Sequence, residues 1–298
     1  MATRGFAPNG RLPQQLGRLG IGMALERKRA IAALLAALAL ALAALVGLSG
    51  CSQTSTPTNS QTLKVGVRGD VVGFGYYNSD TGKYYGLEVD IANSLATRLG
   101  YKSAELVTVT PDNRKEMLQN GVVDCVIACY SVTDSREKNF DFSPAYYTDS
   151  SVFMVEESSL ITSIDQLKGK TIGTMLGTNT AAEITSQLTE EGRTSGTALS
   201  RNSDNSDVQF DTFRLLQFSS YKELSEALEV GKVDAAVMDG SIAQSYMQDN
   251  RKLLSYTGKA QSYGVATQKD SALSQPVANA IQGMIDDGTI ASLTDKWD

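Results

Sequence analysis

Residues 63–67 are LKVGV, and residues 85–99 are YGLEVDIANSLATRL. The first is a short β-branched run, whereas the second repeats apolar residues every third or fourth position, so a strand and then an amphipathic helix are predicted. Two more apolar runs follow, ELVTV at 105–109 and VVDCVIA at 122–128, with a helix predicted at 113–119 between them. Because strands that alternate with helices form mainly parallel sheets covered on both faces, an α/β lobe is predicted here.

The same alternation begins again after residue 150. Strands are predicted at 152–155, 171–174 and 233–238, and helices at 164–167, 180–188 and 221–230. This second set predicts a second α/β lobe, and so a two-lobed protein with a cleft between its lobes. The polar segment 191–211 contains few large apolar residues, which predicts a long surface loop.

The C-terminal part supplies a last strand at 263–267 and two covering helices at 273–286 and 290–297, which we expect to return to the first lobe. The expected division is therefore 63–152 for the first lobe, 153–260 for the second, and 261–298 for the return.

The N-terminal segment differs in composition from the rest. Three basic residues at 27–29 precede an uncharged apolar run at 30–48, which is the layout of a secretion signal. The run is long enough to span a bilayer, so a retained membrane helix is the alternative. It ends in Leu-Ser-Gly before Cys51, which resembles the lipobox of bacterial lipoproteins, where the cysteine is lipidated and becomes the mature N-terminus. We therefore predict a signal peptide at 1–50, a lipid on Cys51 and a flexible tether at 51–62.

Composition excludes several classes of function. From Cys51 onward the chain carries 21 lysines and arginines against 32 aspartates and glutamates, a net charge of −11, so nucleic acid is not an expected partner. The chain contains no histidine, which excludes Ser-His-Asp and Cys-His nucleophiles and histidine-ligated zinc. Cys125 and Cys129 lie about 13 Å apart if the run is a strand, so buried free thiols are expected rather than a disulfide or metal site.

Seven segments resemble the family 3 solute-binding proteins, which are receptors of polar amino-acid ABC transporters. They are LKVGVRGD (63–70), GKYYGLEVDIANSLATRLG (82–100), VVDCVIACYSVTDSREKNFDFSPAYY (122–147), GKTIGTMLGT (169–178), GKVDAAVMD (231–239), YGVATQKD (263–270) and DDGTIASLTDKWD (286–298). The resemblance implies a type II periplasmic-binding-protein-like fold and a monomer without cofactor or metal. It also implies a free amino acid as ligand and a membrane permease as partner.

Enclosing an amino-acid zwitterion requires an opposite partner for each of its two charges. By resemblance, Arg136 clamps the α-carboxylate with help from Ser131, since a guanidinium matches a carboxylate bidentately. Asp239, at the end of an apolar strand, then pairs with the α-ammonium, assisted by the Ser131 hydroxyl and the Cys129 carbonyl. A surface arginine and a turn-forming aspartate are the alternatives. The turn at Thr178 and Asn179 precedes a helix, so its amides favour an anion and are expected to contribute to carboxylate binding.

Two more arginines bear on the class of ligand. Arg68 follows the first strand, and Arg114 opens a helix; by resemblance, basic residues there are typical of glutamate- and aspartate-binding members. Two positive groups besides Arg136 are costly in a closed cleft unless a second negative group enters. A dicarboxylic amino acid is therefore the favoured ligand, with glutamine as the alternative. For each arginine alone, an exposed or locally paired side chain is the other interpretation. Phe74 and Tyr130 pack either on the ligand or in the core.

Two other functions remain open on the sequence. A few relatives of these receptors resemble dehydratases, although no acid paired against Asp239 is apparent from the sequence. The other alternative is a sensory lipoprotein that binds amino acids without transport.

Overall fold

The computed structural model describes residues 62–297. The predicted signal peptide, the lipidated Cys51 and nearly all of the predicted tether therefore lie outside the described residues. Within the described part, no helix combines the length and the apolar character needed to cross a membrane.

The described chain alternates strands with helices. The strands are β1 (Leu63–Val67), β2 (Asp70–Val71), β3 (Gly75–Asn78), β4 (Lys83–Tyr85), β5 (Ala104–Thr108), β6 (Cys125–Ile127), β7 (Phe140–Phe142), β8 (Tyr147–Glu156), β9 (Thr171–Met175), β10 (Ala198–Arg201), β11 (Asp207–Phe210), β12 (Arg214–Phe218), β13 (Ala235–Asp239), β14 (Arg251–Tyr263) and β15 (Ala266–Gln268). The α-helices are α1 (Leu87–Arg98), α2 (Arg114–Gln119), α3 (Asp134–Glu137), α4 (Thr180–Glu190), α5 (Tyr221–Glu229), α6 (Gly240–Gln244), α7 (Ser274–Asp286) and α8 (Thr289–Trp297), with a 3-10 turn at Ile164–Leu167.

The first sheet has five strands in the order β5-β1-β6-β15-β7, and we call it, with its helices, lobe 1. β1 pairs in parallel with β5 and β6, whereas β15 pairs antiparallel with β6 and β7. Ile91 of α1 and Ile281 of α7 are buried with Val65 in one apolar cluster, and Leu118 of α2 is buried with Val126 in another. Helices thus cover both faces, as predicted, and the C-terminal strand and helices join this lobe.

The second sheet, which defines lobe 2, has seven strands in the order β10-β11-β12-β9-β13-β8-β14. β9 lies in parallel between β12 and β13, and the other pairs are antiparallel. Ile184 of α4 packs with Phe153 and Val237, while Leu224 of α5 packs in the same cluster as Met238. The predicted α/β class with two lobes is confirmed. Antiparallel strands extend one edge of the first sheet and both edges of the second.

Two long paired strands connect the lobes. β8 and β14 run antiparallel from Glu156 opposite Arg251 to Tyr147 opposite Tyr263. β7 and β15 are both strands of lobe 1. β8 begins five residues after the end of β7, and β14 ends shortly before the start of β15. The predicted boundaries at 152–153 and 260–261 fall within these two strands, because extended backbone continues without a break from one sheet toward the other.

The prediction of a surface loop at 191–211 is wrong in part. β10 and β11 form an antiparallel hairpin there that extends the second sheet beyond β12. β11 shows the alternation of a half-buried strand through Val208 and Phe210, but β10 is an edge strand that is mostly exposed. A strand held by backbone pairing alone leaves no apolar pattern in the sequence. The small sheet β2-β3-β4 was not predicted either.

Cys125 and Cys129 are both buried free thiols, as expected. Only Cys125 lies within β6; Cys129 follows the strand with a φ of 46°. The predicted strand therefore ends earlier than its apolar composition indicates, since a left-handed residue cannot continue it.

Candidate functional site

The loop after β6 meets lobe 2 at the turn before α4. Ser131 Oγ lies 2.8 Å from Gln261 Oε1 and 3.1 Å from Asn179 Oδ1, two acceptors for its single proton. A methyl group on Gly177 would come within 2.5 Å of the Pro111 backbone, so the backbone segments of the two lobes are in close contact here. The lobes are therefore in contact around the predicted site.

Arg136 lies at this junction. Its backbone amide donates to the side chain of Thr133, which caps the short helix α3, and its Nη1 donates to the Ser131 carbonyl at 2.7 Å. The guanidinium carbon lies 4.5 Å from the centre of the Tyr130 ring. Burial, and then the charge of Arg114, lower the pKa of Arg136 to about 10. Both effects disfavour the charged form of this half-buried guanidinium, and an anion beside it would stabilise that form.

Asp239 is buried at the end of β13 and accepts hydrogen bonds from two side chains of β14. Tyr263 donates its hydroxyl to Oδ2, and Gln261 donates Nε2 to Oδ1 at 3.2 Å. Burial raises the pKa of Asp239, and the nearby Asp149 carboxylate raises it further, whereas the hydrogen bonds lower it. The two hydrogen bonds thus hold the carboxylate in place, but its negative charge is not balanced by an ion pair with a cation of the described chain. An ammonium group could supply that cation.

Gln261 links the two charged residues of the predicted clamp. Its Oε1 lies beside Ser131, whose carbonyl binds Arg136, and its Nε2 bonds Asp239. Asn179 also donates to Gln261 Oε1 at 2.8 Å, so residues of both lobes converge on this amide. Gln261 and Tyr263 were missed in the sequence; their spacing of two on one strand, which places both on one face, was the available signal.

The structure corrects the expectation that no acid lies near Asp239. The Tyr263 hydroxyl is 3.4 Å from Asp149 Oδ2, so the two carboxylates flank one phenol. Asp149 is also bonded by the backbone amide and hydroxyl of Ser241, at the start of α6. Two residues 90 positions apart are adjacent because β8 and β13 pair.

Arg114 is 2% exposed and carries its charge into the interior of lobe 1. Its Nη1 donates to the carbonyls of Ala128 at 2.5 Å and Cys129 at 3.3 Å, and its guanidinium carbon lies 4.2 Å from the Tyr130 ring centre. Its Nε has no partner within residues 62–297, and no carboxylate there pairs with Arg114 or Arg136. Burial, and then the charge of Arg68, lower the pKa of Arg114.

Arg68 is locally paired, which is the alternative to a charge that faces the ligand. Its Nε and Nη2 donate to the two carboxylate oxygens of Asp70 at 2.8 and 2.7 Å. Burial by itself would lower the pKa of Arg68. The Asp70 carboxylate is the largest of the effects that raise this pKa, and the net shift is upward. Since Asp70 already supplies the negative partner, the Arg68 charge does not require a second negative group from a ligand.

The remaining predicted residues have local roles. Phe74 packs edge-on against Tyr147 with ring centres 4.9 Å apart, so its visible contacts are those of the core. Thr178 donates its hydroxyl to the Met175 carbonyl at 2.8 Å, which closes the turn before α4. Glu88, which sequence reasoning missed, is fully buried and accepts bonds from the Cys129 amide at 2.5 Å and the Tyr146 hydroxyl at 2.6 Å. Burial raises the pKa of Glu88.

An open pocket of about 840 Å³ lies beside the junction. Arg136, Thr178 and Asn179 line it together with Gln261 and Glu183 of α4. Glu183 accepts a bond from Ser151 at 3.1 Å through Oε2, while its buried Oε1 has no partner within the described chain. Burial raises the pKa of Glu183 to about 7.

Two α/β lobes, joined by paired strands and meeting at a polar junction, define a solute-binding protein of the periplasmic type. Residues 63–298 match the model of the bacterial extracellular solute-binding proteins, family 3, and the chain belongs to this family. Members of this family bind small solutes outside the cytoplasm.

Individual relatives agree with this assignment. The chain is 28% identical to a glutamine-binding protein of Geobacillus stearothermophilus over 259 residues, covering 78% of this chain and 90% of that protein. It is 31% identical to the L-cystine-binding protein TcyJ of Escherichia coli (strain K12) over 242 residues, covering 79% and 82%. The crystal structure of the ancestral amino acid-binding protein AncCDT-1, a precursor of cyclohexadienyl dehydratase, superimposes with a TM-score of 0.64 at 26% identity, covering 79% of this chain and 95% of that one.

We predict that Glu183→Gln stabilises the protein in a pH-dependent manner. A carboxyl group with a raised folded-state pKa contributes most below its unfolded pKa, and this contribution is lost as the pH rises through about 7. At pH 8 the variant should therefore gain about 1–3 kcal/mol in the free energy of unfolding, and at pH 4 it should gain almost nothing. Urea denaturation at both pH values measures this.

Glu190→Gln is the matched control on the same helix. Its exposed carboxylate bonds Lys259, which lowers the pKa of Glu190, so removing that charge should give no gain at pH 8. Equal gains at pH 4 and pH 8 for Glu183→Gln would contradict the assignment of a raised pKa.

Proposed function

We propose that this protein captures a free amino acid between its lobes and delivers it to the permease of an ABC transporter. The observation that carries the proposal is the junction itself: a half-buried guanidinium at Arg136 and a buried carboxylate at Asp239, linked through Ser131 and Gln261. A zwitterion needs one partner of each sign. The membership in family 3 and the amino-acid-binding relatives support this ligand class.

Each half of the zwitterion then has a defined partner. Arg136 takes the α-carboxylate, together with Ser131 and the turn at Thr178 and Asn179. Asp239 takes the α-ammonium, and its raised pKa favours a cation nearby because the ammonium would restore the charged form. Neither residue forms an ion pair with the other or with another residue of the described chain. Both therefore have charge available for a ligand.

Closure follows from the placement of these groups on different lobes. The ligand docks first on lobe 1 through Arg136 and Ser131, and the approach of Asp239 completes its shell. The closed form is stabilised only by as much as the ligand binds it better than the open form. The closed lobes then present the surface that the permease recognises.

The ligand we favour within this class is a dicarboxylic amino acid, glutamate or aspartate. Arg114 supports it, because this buried guanidinium has no carboxylate partner in the described chain and leaves its Nε unpaired. Arg114 and Arg136 both lie against the Tyr130 ring, at 4.2 and 4.5 Å, so the two charges are close together and two carboxylates would offer each of them a partner. Arg68 does not support this preference, since Asp70 neutralises its charge.

The first test is a calorimetric titration of the purified protein with the common amino acids. Arg136→Met and Asp239→Asn should each weaken binding by about 100-fold or more, because removing one partner of a desolvated charge leaves the other unpaired. Arg201→Met, which changes an exposed arginine far from the junction, should leave the affinity unchanged. Unaltered affinity in both site variants, with circular dichroism showing them folded, would refute the proposed clamp.

The second test addresses the dicarboxylate preference. Arg114→Met should lower the ratio of glutamate to glutamine affinity about tenfold, because only glutamate carries the second negative charge. Arg68→Lys serves as the control and should change the ratio by less than about threefold, since Asp70 balances that charge within the chain. Tighter binding of glutamine than of glutamate by the unmodified protein would contradict the preference itself.

We also propose that the mature protein is held at the outer face of the cell membrane by a lipid on Cys51. Mass spectrometry of the protein purified from membranes should find Cys51 as the N-terminal residue, carrying acyl chains, and Cys51→Ser should release the protein from the membrane fraction. An intact N-terminus upstream of Cys51 would favour the retained-helix alternative.

Two rival functions are each tested by one further experiment. A dehydratase on this fold would release a product from prephenate-like acids, and the flanking of Tyr263 by Asp149 and Asp239 makes that assay worthwhile. A sensor would bind amino acids without supporting their uptake, so deletion of its gene would leave amino-acid uptake unchanged.

A further inference from the structure

Cys129 holds an unusual backbone conformation for a buried residue. Among residues 62–297, three residues other than glycine have a positive φ: Cys129, Asn205 and Asp270. Asparagine and aspartate tolerate this region, and both of those residues are exposed. Cys129, by contrast, is 5% exposed and has no such preference. A strained residue persists where its surroundings hold it in place, which is common at ligand sites.

Two buried charged side chains hold Cys129. Its amide donates to Glu88 Oε1 at 2.5 Å, and its carbonyl accepts from Arg114 Nη1 at 3.3 Å. Each of these side chains also has a buried polar atom without a partner in the described chain, Oε2 of Glu88 and Nε of Arg114. Buried polar atoms of native proteins are normally satisfied, so these two indicate a polar guest beside Cys129.

Cys129 belongs to a buried apolar cluster that contains residues of both lobes, among them Val67 of β1 and Met238 of β13. Burial raises the pKa of the Cys129 thiol, as do the carboxylates of Glu88 and Asp239, while Arg68 and Arg114 lower it. Glu88 and the two arginines belong to lobe 1, whereas Asp239 belongs to lobe 2. Two of the groups that act on the thiol, Arg114 and Asp239, are proposed partners of the ligand.

We propose that the Cys129 side chain forms a wall of the amino-acid cleft and limits the length of the ligand side chain that the closed lobes accept. This inference rests on the proposed function. A glycine at this position would adopt the same φ without strain, so the β-carbon and sulfur are retained at a conformational cost and occupy volume inside the cleft. The specificity they provide is steric, because a longer side chain meets the thiol before the lobes close.

The test compares homologous ligands that differ only in the number of methylene groups. Aspartate, glutamate and 2-aminoadipate form one series, and asparagine and glutamine form a neutral one. Cys129→Gly should improve the affinity for the longest member relative to the shortest by about tenfold or more. Cys129→Ser, which keeps the size, should leave this ratio within about threefold of the original. Cys125→Ala, at the buried cysteine within β6, is the matched control and should also leave it unchanged.

Failure of the unmodified protein to bind any amino acid would overturn the proposed function and this inference with it. Binding with an unchanged length ratio in a folded Cys129→Gly protein would overturn the inference alone.

Discussion

Two guanidinium groups, those of Arg68 and Arg114, are buried at 1% and 2% exposure, and the need to balance their charge organises the residues around them. The charge of Arg68 is balanced within the chain by a bidentate ion pair with Asp70. Arg114 is held instead by two backbone carbonyls and the face of Tyr130, which stabilise a cation without neutralising it. A buried charge without a counter-charge is costly, and no carboxylate of the described chain pairs with Arg114.

The strands that connect the lobes also build the site. β8 contributes Asp149 and Ser151, and β14 contributes Gln261 and Tyr263, so the groups around Asp239 come from the connection itself. Asp239 and its hydrogen-bond partners are therefore held together by the paired backbones of β13, β8 and β14.

Arg136 and Arg68 have similar positions in the sequence pattern but different surroundings in the structure. Arg136 follows an apolar strand in a polar loop, and the structure places it at the junction of the lobes with its charge unpaired by any described carboxylate. Arg68 follows a strand in the same way, yet Asp70 binds it, because the turn of the chain into β2 brings the two side chains together. Glu88 and Asp149 were not anticipated, since each meets its partners through pairing of segments that are far apart in sequence.

The sequence by itself determined the alternation of strands and helices, the two α/β lobes and the family, because periodicity and local motifs depend on residues close together in the chain. It also marked Arg136 and Asp239 as the candidates for opposite charges. Only the tertiary structure decided which charges are already balanced, that 191–211 pairs as a hairpin, and that Gln261 links the residues of the junction. Those features depend on distances between segments that the chain brings together only on folding, and one-dimensional spacing does not contain such distances.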